Sequence, residues 1–244
     1  MQDESVVDVH AEFLGQHWKV NQEEAENVRR REFVKEMARH AWWGYRNYTW
    51  GANEARDWIE QNFTMSKATG ALSVFETTIR FVGGLLSLRA LTGEKFYGDK
   101  ACEVAEALLP AFNTPTGLSY SNLDVKSKTG HNYAWAHGGS SILSEVGSLH
   151  LEFLYLSEVT GQGIFAKKVK KIRDLIDKAE KRDGLYSNYI NPDTGKWQGS
   201  YDVSLGAMGD SFYEYLIKSW IQSGGKDDQA RRMYWEASEA IQKK

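Results

Sequence analysis

The chain contains one cysteine, Cys102, and three prolines among its 244 residues. A single thiol leaves no internal disulfide and no cysteine-based metal site to draw. With proline this scarce, the twenty-two glycines are left to separate the elements. No run of eighteen apolar residues exists, and the opening MQDESVVDVH has no basic stretch followed by an apolar one. Neither a membrane-spanning helix nor a signal segment can be read from it. The net charge of −3 lacks the basic stripe that nucleic acid requires, so a nucleic-acid partner is not expected. No phosphate-cradling glycine loop occurs; Gly138-Gly139-Ser140-Ser141 reads as a helix cap. The six histidines show no ligand spacing beyond His131 and His137 in one loop, and no metal ligand is assigned from the residues. Aromatic residues, by contrast, are plentiful. Nine Trp and twelve Tyr suit a core and also offer amphipathic faces for stacking on sugars.

Residues 1–27 are acidic and weakly periodic, which predicts a stalk or disordered arm; residues 28–244 form the folded part. From Arg29 onward Phe33, Val34, Met37, Ala41, Tyr45 and Tyr48 recur at spacings of three and four, the pattern of an amphipathic helix. Val74 to Leu91 is apolar on more than one face and predicts a buried helix. In its last turns the lone cation Arg89 complements the helix dipole. Thr92-Gly93 ends that helix, and Asp99 to Leu109 predicts the next.

The same phrase then returns. Leu91-Thr92-Gly93 is echoed by Val159-Thr160-Gly161 sixty-eight residues later, and Gly117-Leu118 by Gly184-Leu185 after sixty-seven. A third round starts at Asp210, reaches Trp220, stops at Gly224-Gly225, and continues in a helix from Asp227 to about Gln242. The unit is helix, short glycine turn, helix, long loop, with a period near sixty-seven residues. The long loops, 110–139 and 184–208, gather at one end of stacked hairpins, where a binding site is built. The second of them reads as a small β-hairpin around Asn191-Pro192-Asp193-Thr194-Gly195.

Glu76, Glu145 and Asp210 each fall in the first turns of the first helix of their unit, sixty-nine and sixty-five residues apart. An acid at that position can simply complement the helix dipole. Three in register with a repeat instead converge at one end of a central pit if the hairpins stack around an axis. Their neighbours Phe75, Ile142, Val146 and Phe212 are apolar. Glycoside hydrolysis needs such a set, one carboxylic acid to protonate the leaving oxygen and one carboxylate to activate water or attack carbon. Arg80, one turn after Glu76, leaves the proton inventory open.

Four stretches carry a family resemblance: Ser73 to Ser87 (SVFETTIRFVGGLLS), Leu108 to Pro115, Gly138 through Glu145 to Phe153, and Gly209 to Leu216. In that order they resemble glycoside hydrolase family 47, the class I α-1,2-mannosidases, over about residues 28–244. The resemblance implies an all-α fold, an (α/α)7 barrel of helical hairpins of which this chain is an incomplete part. It implies hydrolysis of terminal α-1,2-linked mannose from high-mannose N-glycans with inversion, with calcium, in the Golgi or endoplasmic reticulum lumen. Glu76 then matches the proposed general acid, Asp210 a second catalytic carboxylate, and Arg80 and Glu145 residues that hold the sugar. The family's catalytic domain is about twice as long. Its presumed general base and the threonine that ligates calcium fall in the C-terminal half expected to be absent here, and its N-terminal membrane anchor is expected to be missing as well. A further segment of some tens of residues is expected between Glu54 and Ala55. A mannose-binding, lectin-like or non-catalytic product is the alternative. Met208 stands where Golgi-type members carry an apolar residue.

Overall fold

A computed structural model describes residues 22–44 and 54–243. They belong to two compact units, Met1–Phe63 and Thr64–Lys244. In the first, α1 spans Gln22–Gly44 and α2 spans Glu54–Asn62. The apolar spacing from Arg29 predicts α1, and the helix begins seven residues earlier. Along it Glu26 pairs with Arg29 at 2.7 Å and Arg30 at 3.0 Å, and Glu32 with Lys35 at 2.6 Å. Such pairs are exposed and screened by solvent, and they contribute little to holding the helix. Most of the expected arm (1–21), Tyr45 and Tyr48 lie outside the described residues, whereas the expected junction at Glu54–Ala55 falls at the start of α2.

The second unit opens with β1 (Ala71–Ser73), which runs directly into a helix. That helix has three parts: α3 (Val74–Thr77), a π-helical turn (Thr78–Val82) and α4 (Gly83–Thr92). Then come α5 (Lys95–Leu108), β2 (Asn122–Asp124), β3 (Thr129–His131) and β4 (Ser141–Ile142). They are followed by α6 (Leu143–Gly147), α7 (His150–Thr160), α8 (Gly163–Lys178), β5 (Tyr189–Ile190), α9 (Asp210–Gln222) and α10 (Asp228–Gln242). Helices α4 and α5, α7 and α8, and α9 and α10 pack as hairpins. The first members adjoin in order, α4 against α7 and α7 against α9. The unit is thus the expected helix-hairpin array.

The repeated glycines are its stops. Gly93 and Gly161 sit at φ 76° and 74°, and their amides donate to Arg89 O at 2.8 Å and Ser157 O at 2.9 Å. A side chain there meets the left-handed penalty, so each echo closes its helix. Arg89 does more than the expected service to a dipole. It lies across Gly98, where an added Cβ would come 2.9 Å from its Cδ, and donates to Val159 O at 3.4 Å in the next hairpin. Between the first two hairpins the buried rings of Phe112, Phe153 and Phe165 meet at centroid distances of 5.6 and 5.8 Å. Under the third, Tyr186 meets Phe212 edge-on at 4.9 Å.

Three departures from the sequence reading have local causes. The first helix of the second hairpin is broken at Ser148–Leu149. Gly147 approaches Phe212 so closely that a Cβ would lie 2.4 Å from its ring, and Ser148 Oγ reaches Ser211 Oγ at 2.8 Å. The break lets α6 press against α9. Gly138–Ser141 is not a helix cap: Ser141 is a strand residue donating to Ser119 O at 2.9 Å, and the cap of α6 is Ile142, with no side-chain bond. Finally, the hairpin expected in 184–208 forms without a second regular strand: beside an Ile190–Trp197 bridge, Asn191 N donates to Lys196 O at 2.8 Å and Gln198 N to Tyr189 O at 3.1 Å, and the other edge of β5 pairs with β4.

Candidate active site

The start of α3 is held from two sides. Ser73 Oγ accepts from the amide of Glu76 at 3.1 Å, and Ser121 O accepts from Val74 N at 2.9 Å. These satisfy amides that a helix start leaves open. Thr78 Oγ1 then donates to Val74 O at 2.8 Å, and the chain widens into the π turn. Such bulges occur preferentially at functional sites. Arg80 lies in that turn and its Nε donates to Glu76 Oε2. The pair faces outward, with the Glu76 side chain 47% exposed and Arg80 70%.

Glu145 is built differently. The amides of Leu143 and Ser144, the first two of α6, donate to Asn188 O and Met208 O, both at 2.9 Å. Loop 184–208 thereby completes the helix start that carries Glu145. The carboxyl is largely buried, which raises its pKa above the ordinary glutamate value. The Ser121 hydroxyl opposes this, and the charge of Glu76 adds to it. Neither Glu145 Oε2 nor Ser121 Oγ completes a hydrogen bond within the protein. A buried carboxyl with an idle oxygen, beside a second acid, is primed to take a polar hydrogen-bonding group.

Asp210 is the first residue of α9 and is exposed. Its amide donates to Gly206 O at 2.9 Å, and its Oδ1 accepts from Ser211 N at 2.8 Å. Ser211 Oγ donates to Ser144 O at 3.4 Å, one residue before Glu145, so α9 starts beside α6. The structure therefore pairs Glu76 with Arg80, sets Glu145 on the neighbouring helix start within reach of the charge of Glu76, and sets Asp210 on the next one. Met208, at φ 77°, accepts from Tyr189 Oη through its sulfur at 2.7 Å and packs on Ala136, Ile142 and Tyr189.

Glu152 is a further buried acid that sequence reasoning passed over. It accepts from Tyr215 Oη at 3.0 Å, and burial raises its pKa. Its place between Leu151 and Phe153 was the available signal, an acid among apolar neighbours like Glu145. Ser121 left no signal, since only folding carries it to α6. Among the described residues no three His, Cys, Asp or Glu side chains converge as a metal-holding group. The donors present do not by themselves fit the calcium ion that the resemblance implies, and calcium is given no step below.

Residues 51–244 match the model of glycosyl hydrolase family 47. The chain is 59% identical to mannosyl-oligosaccharide 1,2-alpha-mannosidase mans-2 of Caenorhabditis elegans, over 89% of this chain and 44% of that protein. It is 46% identical to mannosyl-oligosaccharide alpha-1,2-mannosidase IA of Drosophila melanogaster, over 87% and 38%. The chain thus spans less than half the length of these relatives. The nematode match runs to 259 aligned positions, more than 89% of this chain supplies, so the relative carries residues inside that stretch that have no counterpart here. Among solved structures, alpha-1,2-mannosidase from Trichoderma reesei superposes with a TM-score of 0.66 at 26% identity, covering 77% of this chain and 41% of that one. A cellobiose 2-epimerase from Bacillus thermoamylovorans shares the fold alone, with a TM-score of 0.58 at 14% identity, covering 82% and 57%. On the family match and these identities, the chain belongs to glycosyl hydrolase family 47.

Proposed function

We propose that this protein is an inverting glycosidase that removes terminal α-1,2-linked mannose from high-mannose N-glycans, acting in the lumen of the Golgi or endoplasmic reticulum behind a membrane anchor. The observation that carries this reading is that the helix start bearing the Glu76–Arg80 pair adjoins the one bearing largely buried Glu145, close enough for the charge of Glu76 to bear on it. The names of the mannosidase relatives supply the linkage and the sugar. N-glycan processing, calcium dependence and the Golgi-type character suggested by Met208 belong to the same proposal.

In this reading Arg80 and Glu145 hold the terminal mannose. Arg80 offers its remaining guanidinium N–H groups to sugar oxygens, and Glu145 offers its unpartnered Oε2 to a ring hydroxyl. Glu76 protonates the glycosidic oxygen as the bond to the anomeric carbon breaks. A water enters from the opposite face, which requires the two working carboxyls to stand about 6.5–9.5 Å apart. Asp210, exposed at the next helix start, is a second carboxyl at the site, and the carboxylate that takes the proton of the attacking water is the one the family resemblance places beyond these residues.

The test is to incubate the purified protein with a high-mannose oligosaccharide and follow the released mannose by proton NMR. The expected first product is the β-anomer, and Glu76→Gln lowers kcat by about a hundredfold or more, the usual share of a general acid. An α-anomer as first product, or full activity in Glu76→Gln, defeats the assignment. Tight glycan binding without mannose release selects the lectin-like alternative instead.

A further inference from the structure

The aromatic pairs among the described residues of the second unit range from buried to partly buried, and among their Phe, Tyr and Trp rings it is Trp135 that stands open to solvent. Tyr133 and Trp135 stack nearly parallel, with centroids 5.2 Å apart and planes at 17°, and Trp135 is 60% exposed. The flat indole is presented to solvent with a second ring behind it.

The loop bearing the pair is stiff. Asn132 spans it: its Oδ1 accepts from Ser121 N at 2.7 Å, and its Nδ2 donates to Gly139 O at 2.8 Å and Ser141 Oγ at 3.3 Å. Three backbone bonds, Ala136 N to Tyr133 O, His137 N to Trp135 O and Gly139 N to Ala136 O, wind it into consecutive turns. His137 adopts φ 40°, its carbonyl accepts from Gln198 Nε2 at 2.8 Å, and its ring meets Tyr189 edge-on at 4.5 Å. Little conformational entropy is therefore left to lose when a ligand docks.

The loop is also tied to the carboxylates. Tyr133 packs on the cluster of Ala136, Ile142 and Tyr189, which Met208 joins. Ile142 lies three residues before Glu145, and Met208 two before Asp210. Ser121, whose amide Asn132 holds, is the hydroxyl facing Glu145. The aromatic loop and the starts of the acid-bearing helices are thus held by one set of contacts.

We propose that Tyr133 and Trp135 form a carbohydrate platform, on which a pyranose ring of the oligosaccharide beyond the cleaved mannose stacks its C–H face. This rests on the glycan reading above and extends it from one sugar to the branch behind it. An aromatic face suits a pyranose, whose C–H edges are apolar while its hydroxyls point outward to water.

The test compares two substrates, the α-1,2-linked mannose disaccharide and a high-mannose oligosaccharide, with wild type, Trp135→Ala and Trp135→Phe. Trp135→Ala is expected to raise KM for the oligosaccharide about three- to tenfold, the range an aromatic contact contributes, with kcat unchanged. Its disaccharide kinetics stay as in wild type, and Trp135→Phe recovers most of the loss. Because the side chain is exposed, the thermal melt of Trp135→Ala matches wild type, which separates a lost contact from a lost fold. If wild type binds both glycans without cleaving them, the same comparison in Kd decides. An unchanged oligosaccharide KM in Trp135→Ala, or equal shifts for both substrates, overturns the platform alone. A wild type that neither binds nor cleaves either glycan overturns the glycan reading and the platform together.

Discussion

His150 gives the sharpest physical test of the fold. It opens α7, is 3% exposed, and its Nε2 has no partner. Burial lowers its pKa to about 3, helped by the charges of Arg173 and Lys170. Asp227 and the Val169 backbone favour the charged form and are outweighed. In the unfolded chain the ring titrates near 6.5. Between those values the unfolded state binds a proton that the folded state refuses, so stability is present above about pH 6.5 and is lost as pH falls. Each unit below 6.5 removes about 1.4 kcal/mol, or about 2 kcal/mol at pH 5 relative to pH 7.5. For a unit of this size that is about 4–8 °C in melting temperature.

Two buried acids act in the opposite sense. Glu145 and Glu152 have raised pKa values, so the stability they contribute is present at low pH and is lost as pH rises past the ordinary carboxyl range. The raw pH dependence of wild type is therefore a mixture, and the comparison with His150→Gln isolates the imidazole. Urea titrations at pH 7.5 and pH 5 are the assay. Whatever His150→Gln costs at pH 7.5, its disadvantage relative to wild type should shrink by about 2 kcal/mol at pH 5. Parallel pH dependence in the two proteins would refute a neutral, water-excluded His150.

Other outcomes follow from single contacts. Gly147→Ala forces a Cβ to within 2.4 Å of the buried Phe212 ring and should destabilise by about 1–3 kcal/mol, read as a lower urea midpoint at constant slope. Asp227 both pairs with largely buried Arg173 at 2.6 Å and caps α10 by accepting from Ala230 N at 3.1 Å. Asp227→Ala should cost about 3–5 kcal/mol, more than Arg173→Met, because the first strands the guanidinium and removes the helix cap together, whereas Asp227 left without Arg173 still accepts from Ala230 N; chemical denaturation of both variants checks the order. Cys102 is buried, and desolvation together with Glu106 pushes its thiol up to about 11. Its alkylation by iodoacetamide at pH 8 should run about a hundredfold slower in the native protein than in urea, and equal rates would mean that the helix opens freely.

The array of hairpins was legible because helix stops are local. A Thr-Gly at the end of an apolar periodic run means the same wherever it occurs, so Gly93, Gly161 and the pair at Gly224-Gly225 could be read without tertiary knowledge. The register of Glu76, Glu145 and Asp210 followed from those stops. What stayed hidden depends on contacts distant in sequence. The break at Ser148 is imposed by Phe212, sixty-five residues away from Gly147, and the amides of α6 are closed by Asn188 and Met208 rather than by a serine cap. The π turn at Thr78–Val82 has no marker in composition. Glu152 was readable in principle, since its apolar neighbours match those of Glu145, but it falls outside the repeat position that drew attention to the others.

The three repeat acids occupy one position in the hairpin and three different environments, and the loops make the difference. Glu76 stands on a side-chain-capped start, exposed, with a guanidinium one turn on. Glu145 stands on a start closed by carbonyls from another loop, which brings protein over the carboxyl and leaves one oxygen idle. Asp210 stands on a tight turn from Gly206 and faces water. Acid–base chemistry at a single centre requires carboxyls whose proton affinities diverge, and identical acids diverge only through their surroundings. A helical repeat supplies the convergence, because it returns every first helix to the same end. The long loops 110–139 and 184–208 supply the divergence, because each closes its neighbouring helix start by a different set of donors and acceptors. That division explains why the loops exceed what a simple hairpin solenoid needs, and why the acid with the raised pKa sits where both loops meet, with Ser121 on one side and Met208 on the other.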